Sequence, residues 1–319
     1  MPTQLSYPLD AHSKSVIERT MREFLGDMIL DVMWDDYFYW MTMFDSIEGW
    51  NGSGGPYNWN LSNNPATDLG IQYSNKGVSY ISSGIVQISA GPTAGAGTMI
   101  DKSPLNQAIL SFDQRQRFKT QVKVVTTRLI TTYIRIGEIT SPPGTTAEKH
   151  FGFKIDATTL YGTCGDGTAS DASVTLGTIA AGNNLLLEAR LIPNDKIVFY
   201  SSTTGIDGLK EVGTLTSPLP TGNFTDSIFS TWILIESLGK TGITDKGSWA
   251  TATVYAVNDV VFVPGVNAYF ICKNAHTSGA STEPPIGGSW QNEWEYYGVH
   301  ISMFEYIQKK PKRASRKLS

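Results

Sequence analysis

A mainly β fold, with sheets packed as a sandwich or closed as a barrel, is predicted by three features of this sequence. Short runs rich in Val, Ile, Thr, Tyr and Phe recur through the middle of the chain, spaced by Gly, Pro, Asn and Asp turns. Apolar and polar residues alternate inside these runs, as Phe118, Thr120, Val122 and Val124 do against Lys119, Gln121 and Lys123. No helical pattern separates one run from the next, which argues against a doubly wound parallel sheet. The composition agrees: 40% of the 319 residues are hydrophobic, enough for a core, whereas only 17% are charged and 31 are Gly.

The first element is the exception. Ser15 and Glu18 form a capping-box pattern ahead of an apolar stripe at Ile17, Met21, Phe24, Met28 and Val32, which predicts a helix. An aromatic stretch follows, with Trp34, Tyr37, Phe38, Tyr39, Trp40 and Phe44. Such a stretch near a terminus either covers its own sandwich or docks on another subunit or a particle surface. The second reading makes Phe24, Trp34, Tyr37, Phe38 and Trp40 anchoring residues. Strands are then expected within 78–89, 107–111, 118–125, 129–136, 150–155, 173–176, 184–191, 196–200 and 230–236.

Several of these runs carry a family likeness. His150-Phe-Gly-Phe-Lys-Ile-Asp156, Leu160-Tyr-Gly162, Leu185-Leu-Leu-Glu-Ala-Arg190, a Pro193–Asp195 turn and Lys196-Ile-Val-Phe-Tyr200 together resemble the concanavalin- or laminarinase-type jelly roll. Domains of that type occur in phage structural proteins. The resemblance implies a lectin-like jelly-roll sandwich and says more of fold than of function.

Residues 248–297 differ in texture, with Trp249, Trp290 and Trp294 in one short stretch. Trp249, then Tyr255-Ala-Val-Asn-Asp-Val-Val261, then Tyr269-Phe-Ile-Cys-Lys-Asn-Ala-His-Thr-Ser278 and Trp294 resemble the small chitin- and cellulose-binding modules of families 5 and 12. Asn258 stands where that pattern has Gly. A unit this small depends on a few large aromatics for its core, here Tyr255, Val260, Tyr269 and Trp294. The resemblance implies that exposed rings stack on sugar, and the residues assigned to such a platform are Trp249, Trp290 and Tyr296. Lys273, Asn274 and Ala275 stand where the family's binders often carry paired aromatics, a departure from the pattern.

After this segment Val299, Ile301 and Met303 alternate with His300 and Ser302, the pattern of a closing jelly-roll strand. The small module is therefore expected as an insertion before the last strand, a cheap place for extra chain. The expected division is an N-terminal helical and aromatic arm (1–44), a sandwich (45–245 plus 298–308), an inserted module (246–297) and a basic flexible tail (309–319).

Chemistry is sparse at this level. A glycosidase needs two carboxylates across a sugar, and the laminarinase run Glu-x-Asp-x-x-Glu is absent. Glu138, Glu188, Glu236 and Glu305 are scattered, as are the four histidines, and Cys272 with His276 makes only two metal ligands. No catalytic residue, metal or cofactor is assigned. The net charge of −4 disfavours nucleic acid as partner. No window approaches eighteen unbroken apolar residues, and the N-terminus shows no export pattern. The expectation is a non-enzymatic phage virion surface protein of the capsid-decoration or head-fibre type, made in the host cytoplasm and released by lysis. It would be homo-oligomeric, would dock on other virion proteins through its N-terminal arm, and would display a module for weak adhesion to polysaccharide. A tail fibre or receptor-binding protein is one alternative, and a secreted glycosidase or depolymerase is another.

Overall fold

The computed structural model describes residues 37–42, 60–61, 78–82, 85–95, 97–102, 111–126, 129–138, 148–168, 171–223 and 233–309. The helix expected over 15–32, Phe24 and Trp34 lie outside the described residues. The strands run β1 (Tyr37–Thr42), β2 (Asn60–Leu61), β3 (Val78–Ser82), β4 (Ile85–Ser89), β5 (Gly97–Lys102), β6 (Gln116–Val124) and β7 (Ile130–Gly137). Next come β8 (Lys149–Asp156), β9 (Thr159–Asp166), β10 (Ala172–Thr178), β11 (Asn184–Ile192), β12 (Lys196–Ser202), β13 (Lys210–Leu215) and β14 (Ile233–Gly239). The last group is β15 (Thr244–Ser248), β16 (Val254–Tyr255), β17 (Asp259–Val263), β18 (Ala268–Cys272), β19 (His276–Thr277), β20 (Trp294–Tyr296) and β21 (Gly298–Lys309).

Two antiparallel sheets form a β sandwich. The eight-stranded sheet has the order β13-β12-β11-β6-β21-β4-β3, with β1 also on β21; the seven-stranded sheet is β10-β9-β8-β7-β14-β5-β2. Side chains on alternate positions meet between the sheets. Phe118 lies at the centre: its ring stacks on Phe304 at 5.5 Å and meets Phe151 and Phe153 at 5.6 Å each, while Phe153 meets Phe199 at 5.5 Å. Gly162 lets the sheets close over Phe199, because a Cβ there would fall 2.5 Å from that ring. The turn before β12 needs Asn194 in the left-handed region, φ 59°, a conformation Asn tolerates.

Closing strand β21 sits inside its sheet. One edge pairs with β6; the other is divided between β4 over Gly298–Ile301 and β1 over Phe304–Lys309. The aromatic stretch assigned above to an anchoring arm therefore forms, over Tyr37–Thr42, a strand of the chain's own sheet. Tyr37 is opposite Lys309, Phe38 opposite Gln308 and Trp40 opposite Tyr306. Val299 and Ile301 point into the core as their alternation implies, but a bulge between Ile301 and Met303 resets the faces. Met303 then lies opposite Gln121 and away from the core, and Phe304 and Tyr306 point inward.

Between β14 and β21 the chain builds a second small sheet, β15-β17-β18-β20, with β15 parallel to β17, and pairs β16 with β19. The two faces of its β17–β18 hairpin do different work. Val261, Val263, Ala268, Phe270 and Cys272 join Tyr255 and Trp294 in a local core, where Tyr255 and Trp294 meet edge to face at 4.9 Å. Val260, Tyr269 and Ile271 face the sandwich instead, packing with Ala90, Ile130 and Tyr297. All four aromatic and aliphatic residues expected as the small core are buried, but they divide between these two clusters. Asn258, at φ 71°, explains its place in the pattern: Asn is the side chain that best replaces Gly in the left-handed region.

Polar contacts reinforce the seat. Tyr297 donates its hydroxyl to the Leu129 carbonyl at 2.6 Å, Thr126 donates to Glu295 at 2.6 Å, and the Tyr269 amide donates to Ser89 at 3.3 Å. The small sheet is thus packed on the rim of the sandwich rather than tethered to it.

Candidate functional site

Two places gather chemistry. The first is an aromatic face on the small sheet. A single helical turn, Trp290–Glu293, delivers Trp290, and β20 delivers Tyr296. Both rings rest on Phe270 of β18, Tyr296 at 4.5 Å and Trp290 edge-on at 5.7 Å, and they meet each other at 5.7 Å. Each is only partly buried, so one part is fixed by the core while another part meets solvent. Fixed, half-exposed rings present an apolar surface with little entropy left to lose on binding. Tyr296 also meets His300 of β21 at 5.3 Å. Burial raises the Tyr296 hydroxyl pKa, keeping it a neutral hydrogen-bonding group.

Of the three residues assigned to a platform, the structure brings Trp290 and Tyr296 together and leaves Trp249 apart. Trp249 packs on the same local core, with its amide donating to the Phe262 carbonyl at 3.0 Å, but it has no ring contact with the pair. Its indole nitrogen is enclosed without a hydrogen-bond partner. Cys272 and His276 do lie together, at 3.7 Å, with Glu293 3.8 Å from the same ring nitrogen. Cys272 and Glu293 both approach Nδ1 of His276, which already lies 2.9 Å from the Asn274 carbonyl. Among the described residues no group of three such side chains could hold a metal ion.

The second place is a polar cluster on the outer face of the seven-stranded sheet. Arg135 of β7 binds Asp171 at 2.8 Å and lies 3.6 Å from Glu148, with its guanidinium 4.5 Å over the Tyr133 ring. His150 of β8 places Nδ1 3.3 Å from the Glu148 carbonyl and Nε2 3.5 Å from Asp171. Burial, and then the charge of Arg135, hold the imidazole well below its ordinary pKa, so it is neutral. It therefore has one ring proton for two flanking acceptors. Arg135 and His150 are enclosed, and Asp171 is the member that reaches solvent, its side chain 18% exposed. Sequence reading missed this cluster because its members come from β7, β8 and the residues next before β8 and β10, with no shared motif.

The other sheet carries an ion network around buried Lys119, Glu188 and Glu305. Lys119, expected to face water, is enclosed 3.5 Å from Glu188; Glu188 also binds Arg190 at 2.5 Å, and Glu305 binds Arg117 at 2.5 Å. Burial lowers the Lys119 pKa against the opposing pull of Glu305 and Glu188.

No family model and no curated protein matches the chain. Among solved structures it is similar to a Shewanella oneidensis MR-1 protein of unknown function (12% identity over 86% of this chain and 87% of that one, TM-score 0.48). It is also similar to the laminarinase catalytic domain of Thermotoga maritima MSB8 (11% identity, 87% and 100% covered, TM-score 0.46). A third is Bacillus licheniformis β-glucanase (14% identity, 86% and 98% covered, TM-score 0.42). The sandwich described above stands on its own strand order and register.

The expectation of a non-enzymatic chain is corrected here. Structures that resemble it over most of their length are a β-glucanase and a laminarinase. Carboxylates distant in sequence do meet in space: Glu148 and Asp171 share Arg135, and Glu188 and Glu305 both act on Lys119.

Proposed function

We propose that this protein is a carbohydrate-active β-sandwich protein that holds polysaccharide on the Trp290–Tyr296 face. The supporting observation is the pair of half-exposed rings 5.7 Å apart, both seated on Phe270. A pyranose has apolar faces and a polar rim, which matches a fixed aromatic surface bordered by a tyrosine hydroxyl. On sequence grounds alone, the proposed setting is the surface of a phage particle, where many copies would turn weak sites into firm attachment.

Glycosidic hydrolysis is the second reading, favoured by the Glu148–Asp171 pair around Arg135, with the neutral His150 beside the solvent-reaching Asp171. One experiment separates the two. The full chain is incubated with chitin, cellulose and laminarin, and both retained protein and released reducing ends are measured. Retention lost in the Trp290→Ala/Tyr296→Ala double variant supports binding at the rings; undiminished retention sinks it. Release of reducing ends that stops in Asp171→Asn and Glu148→Gln supports hydrolysis at the cluster, and no release from any polymer rules that reading out for these glycans.

A further inference from the structure

The aromatic face does not stop at the edge of the small sheet. Tyr296, Gly298 and His300 follow one another on the same side of the chain as β20 passes into β21, and the Tyr296 and His300 rings touch at 5.3 Å. Gly298 lets β4 come close at this point, since a Cβ there would fall 2.0 Å from the Ile88 carbonyl oxygen. His300 lies directly opposite Gln87 on β4 and Lys123 on β6, and Lys123 lies opposite Asn184 on β11. Directly opposed residues share a sheet face, so Lys123 and Asn184, both exposed, continue the line that begins at Trp290.

Some lysines of the two sheets and their ends are neutralised by carboxylates. Lys119 meets Glu188, Lys154 meets Asp156, and Lys240 also binds Asp156. Lys123 has no carboxylate partner among the described residues. Its charge acts on His300, whose pKa burial first and Lys123 second lower to about 4. The imidazole beside it is therefore neutral near pH 7 and leaves Lys123 as the one cation of the row.

We propose that the Trp290–Tyr296 face extends across the seam through His300 to Lys123, and that this strip takes a glycan bearing an anionic group. The inference rests on the sugar-binding reading of the rings: they would hold a sugar face, and Lys123 would meet a carboxylate further along the same polymer. An exposed charge pair of this kind supports an effect of about two- to fivefold, weakened by salt.

The test uses the full chain and its Lys123→Ala, Lys123→Arg and Trp290→Ala variants, with polygalacturonate as the acidic probe and laminarin as the neutral one. Affinity for polygalacturonate is expected to fall about two- to fivefold in Lys123→Ala, to recover in Lys123→Arg, and to approach the alanine value for wild type in high salt. Affinity for laminarin is expected to be the same in wild type, Lys123→Ala and Lys123→Arg, and to fall in Trp290→Ala. Equal affinity of wild type and Lys123→Ala for polygalacturonate would overturn the strip while leaving the ring site standing, as would binding of laminarin but not polygalacturonate. Full binding by Trp290→Ala would remove both.

Discussion

Tyr297→Ala is expected to destabilise the protein by about 3–5 kcal/mol, the usual cost of truncating a large enclosed aromatic. Tyr297 is fully buried where the small sheet meets the sandwich, among Ala90, Ile130, Val260, Tyr269 and Ile271. Its main chain also bridges the two, the amide donating to the Tyr269 carbonyl and the carbonyl accepting from Ala90. Removing the ring opens a cavity at the joint itself. Calorimetry is expected to show one transition for wild type and two for the variant, as the small sheet melts apart from the sandwich. Tyr297→Phe is a milder case. It loses one hydrogen bond, but the Leu129 carbonyl keeps the Lys240 amide, so about 1 kcal/mol is expected. Equal stability of Tyr297→Ala and wild type would show that the two units do not depend on this seat.

Loss of stability on mild acidification is the second large effect. His150 is held well below its ordinary pKa by burial and then by Arg135, and His300 is lowered to about 4 by burial and then by Lys123. In the unfolded chain both would titrate near the ordinary imidazole value of 6.5. Between pH 6.5 and 4 the unfolded state therefore takes up protons that the folded state refuses, so stability is full above this window and falls through it. Each histidine contributes about a tenfold change in the folding equilibrium per pH unit. Asp156 acts in a separate, lower window. Burial raises its carboxyl pKa, but Lys240 and Lys154 outweigh that and hold it below the ordinary carboxyl value of 3.8, so its contribution is lost only in stronger acid. Urea midpoints at pH 7 and pH 5 check the first window. A clear drop is expected for wild type and a smaller one for His300→Gln; a midpoint that does not change would contradict the buried, neutral state of both rings.

Much of the sandwich was legible locally because period-two alternation reports directly on which residues face the core. Phe118, Thr120, Val122 and Val124 are all enclosed, as their pattern implies. The same signal misplaces Met303, since a bulge inserts one residue and no local rule marks where. It also puts Lys119 on the polar side of β6, whereas burial and pairing with Glu188, far along the chain, enclose it. The small sheet's core was readable as a set of large residues but not as two clusters, because which hairpin face meets the sandwich depends on docking. Trp290 and Tyr296 were assigned to one face as aromatic residues of the 248–297 segment, and the structure places their rings together. Trp249, chosen on the same ground, is separated from them by geometry that sequence spacing does not contain.

The most direct measurement is titration calorimetry of the retained glycan against the full chain, Trp290→Ala and Trp249→Ala. A ring that carries a binding face costs more than about 1.4 kcal/mol when truncated, or about tenfold in affinity. The expected result is such a loss in Trp290→Ala, with Trp249→Ala close to wild type. Unchanged affinity in Trp290→Ala, with thermal stability intact, would contradict the assignment of the Trp290–Tyr296 face as the glycan site.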